Sequence, residues 1–135
     1  MEEALRTWML AATGVRALAG QRIDWVMRPQ GEAIPQQGAS IVLHLIDDLP
    51  AMNLAAPSGW SAARVQVDCW ARTHKIARDA AAAVSTLANG FRGTLSNIRI
   101  RTFVLDRSTD QSSEAGNTLH RTRLDLRVWW NPAQE

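Results

Sequence analysis

The sequence has little of several residues that mark particular classes of protein. It contains one cysteine, one lysine and no tyrosine. The single cysteine, Cys69, excludes an internal disulfide and, unaided, a structural zinc site. Cys69 lies in an alternating apolar pattern, so we predict a small buried side chain rather than a reactive thiol.

Long apolar runs are also missing. The longest is far too short to span a bilayer, so we expect no membrane partner. Residues 1–20 lack the layout of a signal peptide, because Glu2 and Glu3 stand where a secretory segment carries positive charge. We therefore expect synthesis in a cytoplasm.

The composition that remains is that of an ordinary globular protein. Hydrophobic residues make up 46% and charged residues 21% of 135 residues, which excludes wholesale disorder and predicts a single domain over residues 1–135. The basic residues are fourteen Arg and one Lys, set among thirteen acidic residues, for a net charge of +2. Such interspersed charge favours a mixed surface with ion pairs over the clustered basic patch of a dedicated nucleic-acid-binding protein.

Hydrophobic periodicity divides the chain into seven elements. Leu5, Met9 and Val15 share one face at helical spacing, whereas the residues around Val67 and Leu126 alternate as strands do. The predicted elements are a helix at 2–19, strands at 22–28, 40–47 and 62–72, a helix capped by Thr73 that runs to Asn89, and strands at 97–105 and 119–130. Successive strands without intervening helices favour antiparallel pairing. We therefore predict an α+β fold with a mostly antiparallel sheet, two helices and the order α-β-β-β-α-β-β.

Turn and breaker residues predict three long loops. They cover residues 29–39, 48–60 and 106–118, and the last is either a mobile loop or an extended hairpin tip. The loop at 48–60 is expected to expose Met52, Leu54 and Trp60, which would gain from being covered by a neighbour. Gly90 and Gly93 are expected to mark a helix stop and a turn. This loop content exceeds what a small self-contained fold usually carries.

Residues able to support catalysis are present, but their spacing predicts no active site. His44, His74 and His120 are far apart and lack metal-ligand spacing, and His44 is expected to be a hydrogen-bonded core or interface histidine. Asp47 and Asp48 are adjacent, so on a strand they would point to opposite faces; an exit from strand to loop explains them better than an acid/base pair. We therefore predict no enzyme activity and no cofactor.

Tryptophan and arginine are more informative. Trp70 and Trp129 fall on the Arg-bearing faces of their strands, and large aromatic residues among Arg suit a protein–protein interface. The alternative is that the second helix covers this face. Charged residues of the 106–118 segment could also reach a neighbour. The candidate interface residues are Trp70, Arg99, Arg101, Arg107, Asp110, Glu114, Arg121, Arg123, Arg127 and Trp129.

From about Ala4 to Trp130 the sequence resembles the tail-completion or tail-terminator subunits of long-tailed bacteriophages and gene-transfer particles. The N-terminal part of the match is Ala19-Gly20, Arg22-Ile23, Pro29-Gln30-Gly31, Pro35 and Ile41-Val42-Leu43. The strongest part is Arg64-x-Gln66-x-Asp68-x-Trp70-Ala71-x-Thr73 before an alanine-rich helix, with His120-Arg121 and Leu124-Asp125-Leu126-x-Val128-Trp129 near the end. The family often places Pro directly before the second strand and commonly carries Tyr, and this chain departs from both patterns.

The resemblance implies a structural virion protein that forms a homo-oligomeric ring, commonly a hexamer. Such a ring caps the head-proximal end of the tail tube, stops tube elongation and joins the tail to the head connector, and it is assembled in the host cytoplasm. The implied partners are further copies of the chain, the tail tube protein and the neck proteins, with DNA only as passing cargo in the lumen. The alternatives are another neck component, such as a head-completion or connector protein, and a DNA-binding accessory protein that uses the Arg-bearing strands.

Overall fold

The computed structural model describes residues 1–26, 37–52, 57–114 and 117–132. The helices and strands within these ranges are α1 (Glu2–Ala11), α2 (Thr13–Ala19), β1 (Ile23–Trp25), β2 (Ala39–Met52), β3 (Pro57–Ala71), α3 (His74–Ala88), β4 (Phe91–Leu95), β5 (Ile98–Glu114) and β6 (Asn117–Pro132). The predicted α+β class is confirmed. The observed order is α-α-β-β-β-α-β-β-β, because the first predicted helix is two helices and β4 was not predicted.

The strands form one six-stranded sheet in the order β1-β2-β3-β6-β5-β4. Every neighbouring pair is antiparallel except β1 and β2, which are parallel. The four long strands β2, β3, β6 and β5 lie side by side, while β1 and β4 each cover part of one edge. This confirms the prediction of a mostly antiparallel sheet.

The N-terminal helix is broken at Ala12. Ala12 has extended backbone angles, φ −75° and ψ 122°, and so separates α1 from α2. The break preserves the predicted apolar face, since Leu5, Met9 and Val15 are all buried. The following strand is shorter than predicted, because Val26 has a positive φ of 75° that ends its extended backbone. Residues 27 and 28, and most of the predicted 29–39 loop, lie outside the described residues.

Helix α3 begins and ends as its sequence predicts. The Thr73 hydroxyl accepts a hydrogen bond from the backbone N–H of Ile76 at 3.2 Å, which satisfies one of the free donors at the helix start. Gly90 follows the helix with φ 80°, a conformation that glycine adopts without strain. The turn predicted at Gly93 is wrong, since Phe91–Leu95 forms strand β4 against β5.

Two of the predicted loops are largely strand. Residues 48–52 and 57–60 extend the β2–β3 hairpin, and residues 106–114 and 117–118 extend the β5–β6 hairpin. The extended-hairpin alternative for residues 106–118 is therefore confirmed. The loop prediction for 48–60 is wrong where the chain is described; Leu54 lies outside the described residues, and Trp60 is half-buried in β3.

The hydrophobic core lies between the three helices and one face of the sheet. Alternate residues from Ala63 to Ala71 of β3 and from Thr122 to Val128 of β6 point into it and are buried. Because the alanine side chains of α3 are short, the helix can approach these strands closely. The core residues at this contact are Ala77, Ala80, Ala81 and Val84 of α3, Val65, Val67, Cys69 and Ala71 of β3, and Leu124, Leu126 and Val128 of β6.

Candidate functional site

The opposite side of the sheet, here called the open face, carries most of the candidate interface residues. Thr102, on the core side of β5, donates a side-chain hydrogen bond to the carbonyl of Ala88 at the end of α3. Together with the core contacts of α3, this bond places the helix on the core side. The alternative that the second helix covers the Arg-bearing face is therefore wrong. Along β3, β6 and β5 the open face presents Arg64, Gln66, Asp68, Trp70, Arg121, Arg123, Asp125, Arg127, Trp129, Arg99, Arg101 and Phe103.

A buried carboxylate lies at the centre of the open face. Asp68 is only 2% exposed, although it lies on the side without helices. Its carboxylate accepts a hydrogen bond from Gln66 Nε2 at 3.1 Å and lies 3.3 Å from His44 Nε2 and 3.7 Å from an Arg121 nitrogen. A buried charge requires such partners, because its lost hydration must be replaced. His44, Asp68 and Arg121 lie on three strands, so this one carboxylate links β2, β3 and β6. The hydrogen bond predicted for His44 stays a prediction.

A second ion pair links β3 to β6. Arg64 Nη2 donates to Asp125 Oδ2 at 2.9 Å. The hydrogen bond and the charge of Asp125 raise the pKa of the Arg64 guanidinium above its ordinary value. Arg64 and Asp125 thus hold each other on the open face.

Tryptophan residues lie against arginine at both ends of the open face. The Arg121 guanidinium lies 5.2 Å from the centre of the Trp70 ring, and those of Arg99 and Arg101 each lie 5.4 Å from the centre of the Trp60 ring. Such contacts fix the guanidinium groups and add cation–π attraction. The role of Trp60 was missed because residues 48–60 were predicted as a loop; its spacing of two and four residues from Ala62 and Arg64 was the available signal.

The predicted interface residues divide into two groups. Seven share the open face: Trp70, Arg99, Arg101, Arg121, Arg123, Arg127 and Trp129. Arg107 does not join them. A β-bulge between Val104 and Asp106 shifts the alternation, so Arg107 pairs with the core residue Leu124 and lies on the helix side.

Asp110 and Glu114 lie farther along β5. Their backbones pair with Arg121 and Asn117, respectively, while their side chains lie outside the described part of the structure. Only their positions along β5 are known, so their predicted interface role stays a prediction.

Two long stretches of strand edge have no strand beside them among the described residues. β1 covers β2 only from Ile41 to Leu43, so the edge of β2 is open from His44 onward. β4 covers β5 only as far as Thr102, and the Asn89 side chain accepts the N–H of Val104, so the edge of β5 is open from Leu105 onward. Open edges present unpaired backbone donors and acceptors that can pair with another chain.

Most of the residues predicted to be unsuited to catalysis remain apart, but the rings of His74 and His120 meet edge to face with their centroids 6.2 Å apart. Asp47 and Asp48 pair with Arg64 and Ala63, so they point to opposite sides as predicted, although they lie within β2 rather than at a loop entrance. Across the described ranges, no group of three or more His, Cys, Asp or Glu side chains could hold a metal ion. No helix in those ranges is long and apolar enough to cross a membrane.

A chain in the solved virion of a native gene transfer agent particle has a similar fold, with a TM-score of 0.73 and 21% identity over 96% of this chain and 93% of that one. A second solved structure is similar with a TM-score of 0.55 and 13% identity over 95% of each chain. No protein in the curated set matches the sequence. The family model described as tail completion protein gp17 matches residues 3–131, and the chain therefore belongs to this family of structural virion proteins, which are not enzymes.

Proposed function

We propose that the protein is a ring-forming tail terminator. Several copies, six by analogy with the resemblance noted above, assemble at the head-proximal end of the tail tube. The ring stops further addition of tube subunits and offers its other side to the neck proteins of the head. DNA passes through its lumen as cargo.

The observation that carries this proposal, beyond family membership, is that the subunit extends two hairpins in opposite directions. The tips of the β2–β3 and β5–β6 hairpins lie at opposite ends of the sheet, since Met52 pairs with Pro57 at one end and Glu114 pairs with Asn117 at the other. A terminator needs two chemically different ends, one for the tube and one for the connector.

The two ends differ in composition. Residues 48–60 include Leu49, Met52, Leu54 and Trp60, whereas residues 106–118 contain no large apolar residue. An apolar end favours a permanent contact that excludes water, and a polar end favours one that forms later and depends on charge. This difference supports distinct partners for the two ends.

The open face supports the same proposal. Arg121 lies over the Trp70 ring and Arg64 pairs with Asp125, so part of the charge on this face is held in place by neighbours on adjacent strands. A rigid surface loses little conformational entropy when another subunit or passing DNA meets it. Asp68 and Asp125 offset part of the positive charge of this face and so weaken its attraction for DNA compared with an all-basic surface, which suits a conduit.

The proposal is tested with the purified protein and with particles. Mass measurement in solution and imaging of intact particles are expected to show a closed ring at the head-proximal end of the tail. Particles made without the protein are expected to contain tails of uncontrolled length or tails that do not join heads. A monomer in solution and in particles would contradict the proposal, and a ring located on the head would favour the neck-component alternative.

A further inference from the structure

We propose that the ring closes by strand pairing, with the open edge of β2 in one copy joined to the open edge of β5 in the next. This inference rests on the proposed function and names the surfaces by which adjacent copies meet. The occupant of each open edge is a second copy of this chain.

Exposed apolar side chains mark both edges. Six large hydrophobic residues of the described ranges are exposed, and five of them lie on or beside the two open edges. An apolar edge invites pairing with another chain, and natural sheets limit this with charge, proline or a covering loop. Both edges carry charged residues as well, but these have opposite signs at Asp48 and Arg107. Here the apolar groups are best explained as parts of a contact. The five residues are Leu45, Ile46, Leu49, Phe103 and Leu105.

The strand directions permit the pairing. β2 and β6 run in one direction, and β3 and β5 run in the other. When two copies lie side by side with the same face inward, β2 of one copy therefore meets β5 of the next in antiparallel orientation. This contact is heterologous, as a ring requires, because the two edges are different surfaces.

Face and charge together select a register. Asp48 pairs with the core-side residue Ala63, and Arg107 pairs with the core-side residue Leu124, so both lie on the helix side of the sheet. Placing Asp48 opposite Arg107 of the next copy matches the faces and joins opposite charges, which stabilises a cross-strand pair. Moving either strand by one residue would put the two side chains on opposite faces.

This register also gives the stagger that a closed sheet needs. Asp48 lies level with Ala63 of β3, whereas Arg107 lies level with Leu124 and hence with Val67, four residues farther along β3. Four residues correspond to about 13 Å along a strand, and four strands to about 19 Å across the sheet. The resulting strand tilt is about 35°, within the range of closed barrels.

β1 limits the length of the proposed pairing between β2 and β5 of the next copy. β1 occupies the edge of β2 at Leu43, so the next copy's β5 can pair with β2 only from about His44 onward. The tip of its hairpin then continues along the β1 side of the neighbour. The β5–β6 hairpin would thus clasp the adjacent copy as well as extend the sheet.

Cysteine crosslinking tests the register directly. In particles assembled from the Asp48→Cys, Arg107→Cys double variant, oxidation is expected to give a ladder of covalent multimers up to the full ring. Cys69 is fully buried and does not interfere. The matched control, Asp47→Cys with Arg107→Cys, places the thiols on opposite faces and is expected to give no ladder. Each single variant is expected to stay uncrosslinked.

The outcomes separate this inference from the proposed function. Rings that form but do not crosslink in the double variant, or that crosslink equally in the control, would overturn the strand pairing and leave the terminator proposal standing. Covalent dimers from a single variant would show a symmetric contact and overturn it too. Absence of any ring in wild-type particles would overturn the terminator proposal itself.

Discussion

The two faces of the four long strands differ in composition and in the interactions that stabilise them. The core face holds apolar side chains that are fully buried under the helices, while the open face holds charged and aromatic side chains that are mostly half-buried by one another. The core face is stabilised by removal of apolar surface from water, which does not depend on detailed geometry. The open face depends on directed contacts between named pairs. Stability should therefore follow the core face and assembly the open face and edges.

Val67→Asp should have the largest effect. Val67 is fully buried in the middle of β3, and an unpaired buried carboxylate costs several kcal/mol, comparable with a domain's whole stability. We expect no folded protein by circular dichroism. Ala62→Asp, on the half-buried open face of the same strand, is the control and should cost about 1 kcal/mol or less. A soluble Val67→Asp variant with an unchanged melting temperature would contradict the assignment of faces.

Leu124→Ala and Arg123→Ala sharpen the comparison with two adjacent residues. Leu124 is fully buried, so its truncation should cost about 2–5 kcal/mol through lost burial and the cavity left behind. Arg123 lies on the open face, and its truncation should change stability by about 0.5 kcal/mol at most. Denaturant unfolding measures both. Equal losses would mean that the two faces contribute alike to stability.

Asp68 is the exception on the open face. Replacing it with Leu removes the acceptor for Gln66 and the charge beside His44 and Arg121, and should cost about 1–3 kcal/mol. Asp68→Asn keeps the shape and an acceptor and should cost less. Thermal unfolding of the two variants is the measurement. If Leu stabilised the protein relative to wild type, the network would be a cost to folding, retained for another reason.

The β5–β6 hairpin tip should have the smallest effect on stability. Ser112 pairs with Leu119, so replacing residues 113–118 with Asn-Gly leaves a two-residue turn between paired positions. A cut at residue 106, where the sequence suggested that the loop began, would instead remove paired strand. We expect a nearly unchanged melting temperature but tails that are defective in length or head joining. Normal tails and infectivity would show that the tip is a passive connection.

The sequence predicts those parts of the fold that a single local interaction determines. The alternation around Val67 and Leu126 indicates strands with one buried face. Thr73 marks the start of α3 because its hydroxyl caps the helix, and Gly90 marks the end because glycine adopts a positive φ freely. These features depend on few residues close in sequence. They were predicted for that reason.

The hairpin extensions could not be predicted in the same way. Residues 106–114 are polar on both faces. Residues 106–111 form the sheet edge beside β6, and only residues 112–114 and 117–119 extend beyond β3 as two strands; both parts are held by backbone pairing and need no apolar alternation. Pro50 suggested a loop, but it pairs with Ser61 close to the end of β2, the outer long strand on its side of the sheet, where proline is tolerated. The place of Arg107 depends on the bulge at Leu105, which has no local sequence signature.

The same limit applies to the open face. That Trp70 and Trp129 share a face with arginine followed from alternation alone. That Asp68 joins His44 to Arg121 depends on the order β2-β3-β6, which brings together residues 24 and 53 positions away in sequence. Strand order is a property of the whole sheet and cannot be predicted from any short segment of the sequence.

The burial of Cys69 gives the molecule an internal reporter. Its thiol lies wholly inside the central strand β3, and burial raises its pKa, so alkylating reagents can reach it only when the sheet opens. The rate at which Cys69 is alkylated in mild denaturant therefore measures how often the core opens while the protein is still mostly native. If neighbouring copies hold both sheet edges, the same thiol should react far more slowly in assembled tails than in the free subunit.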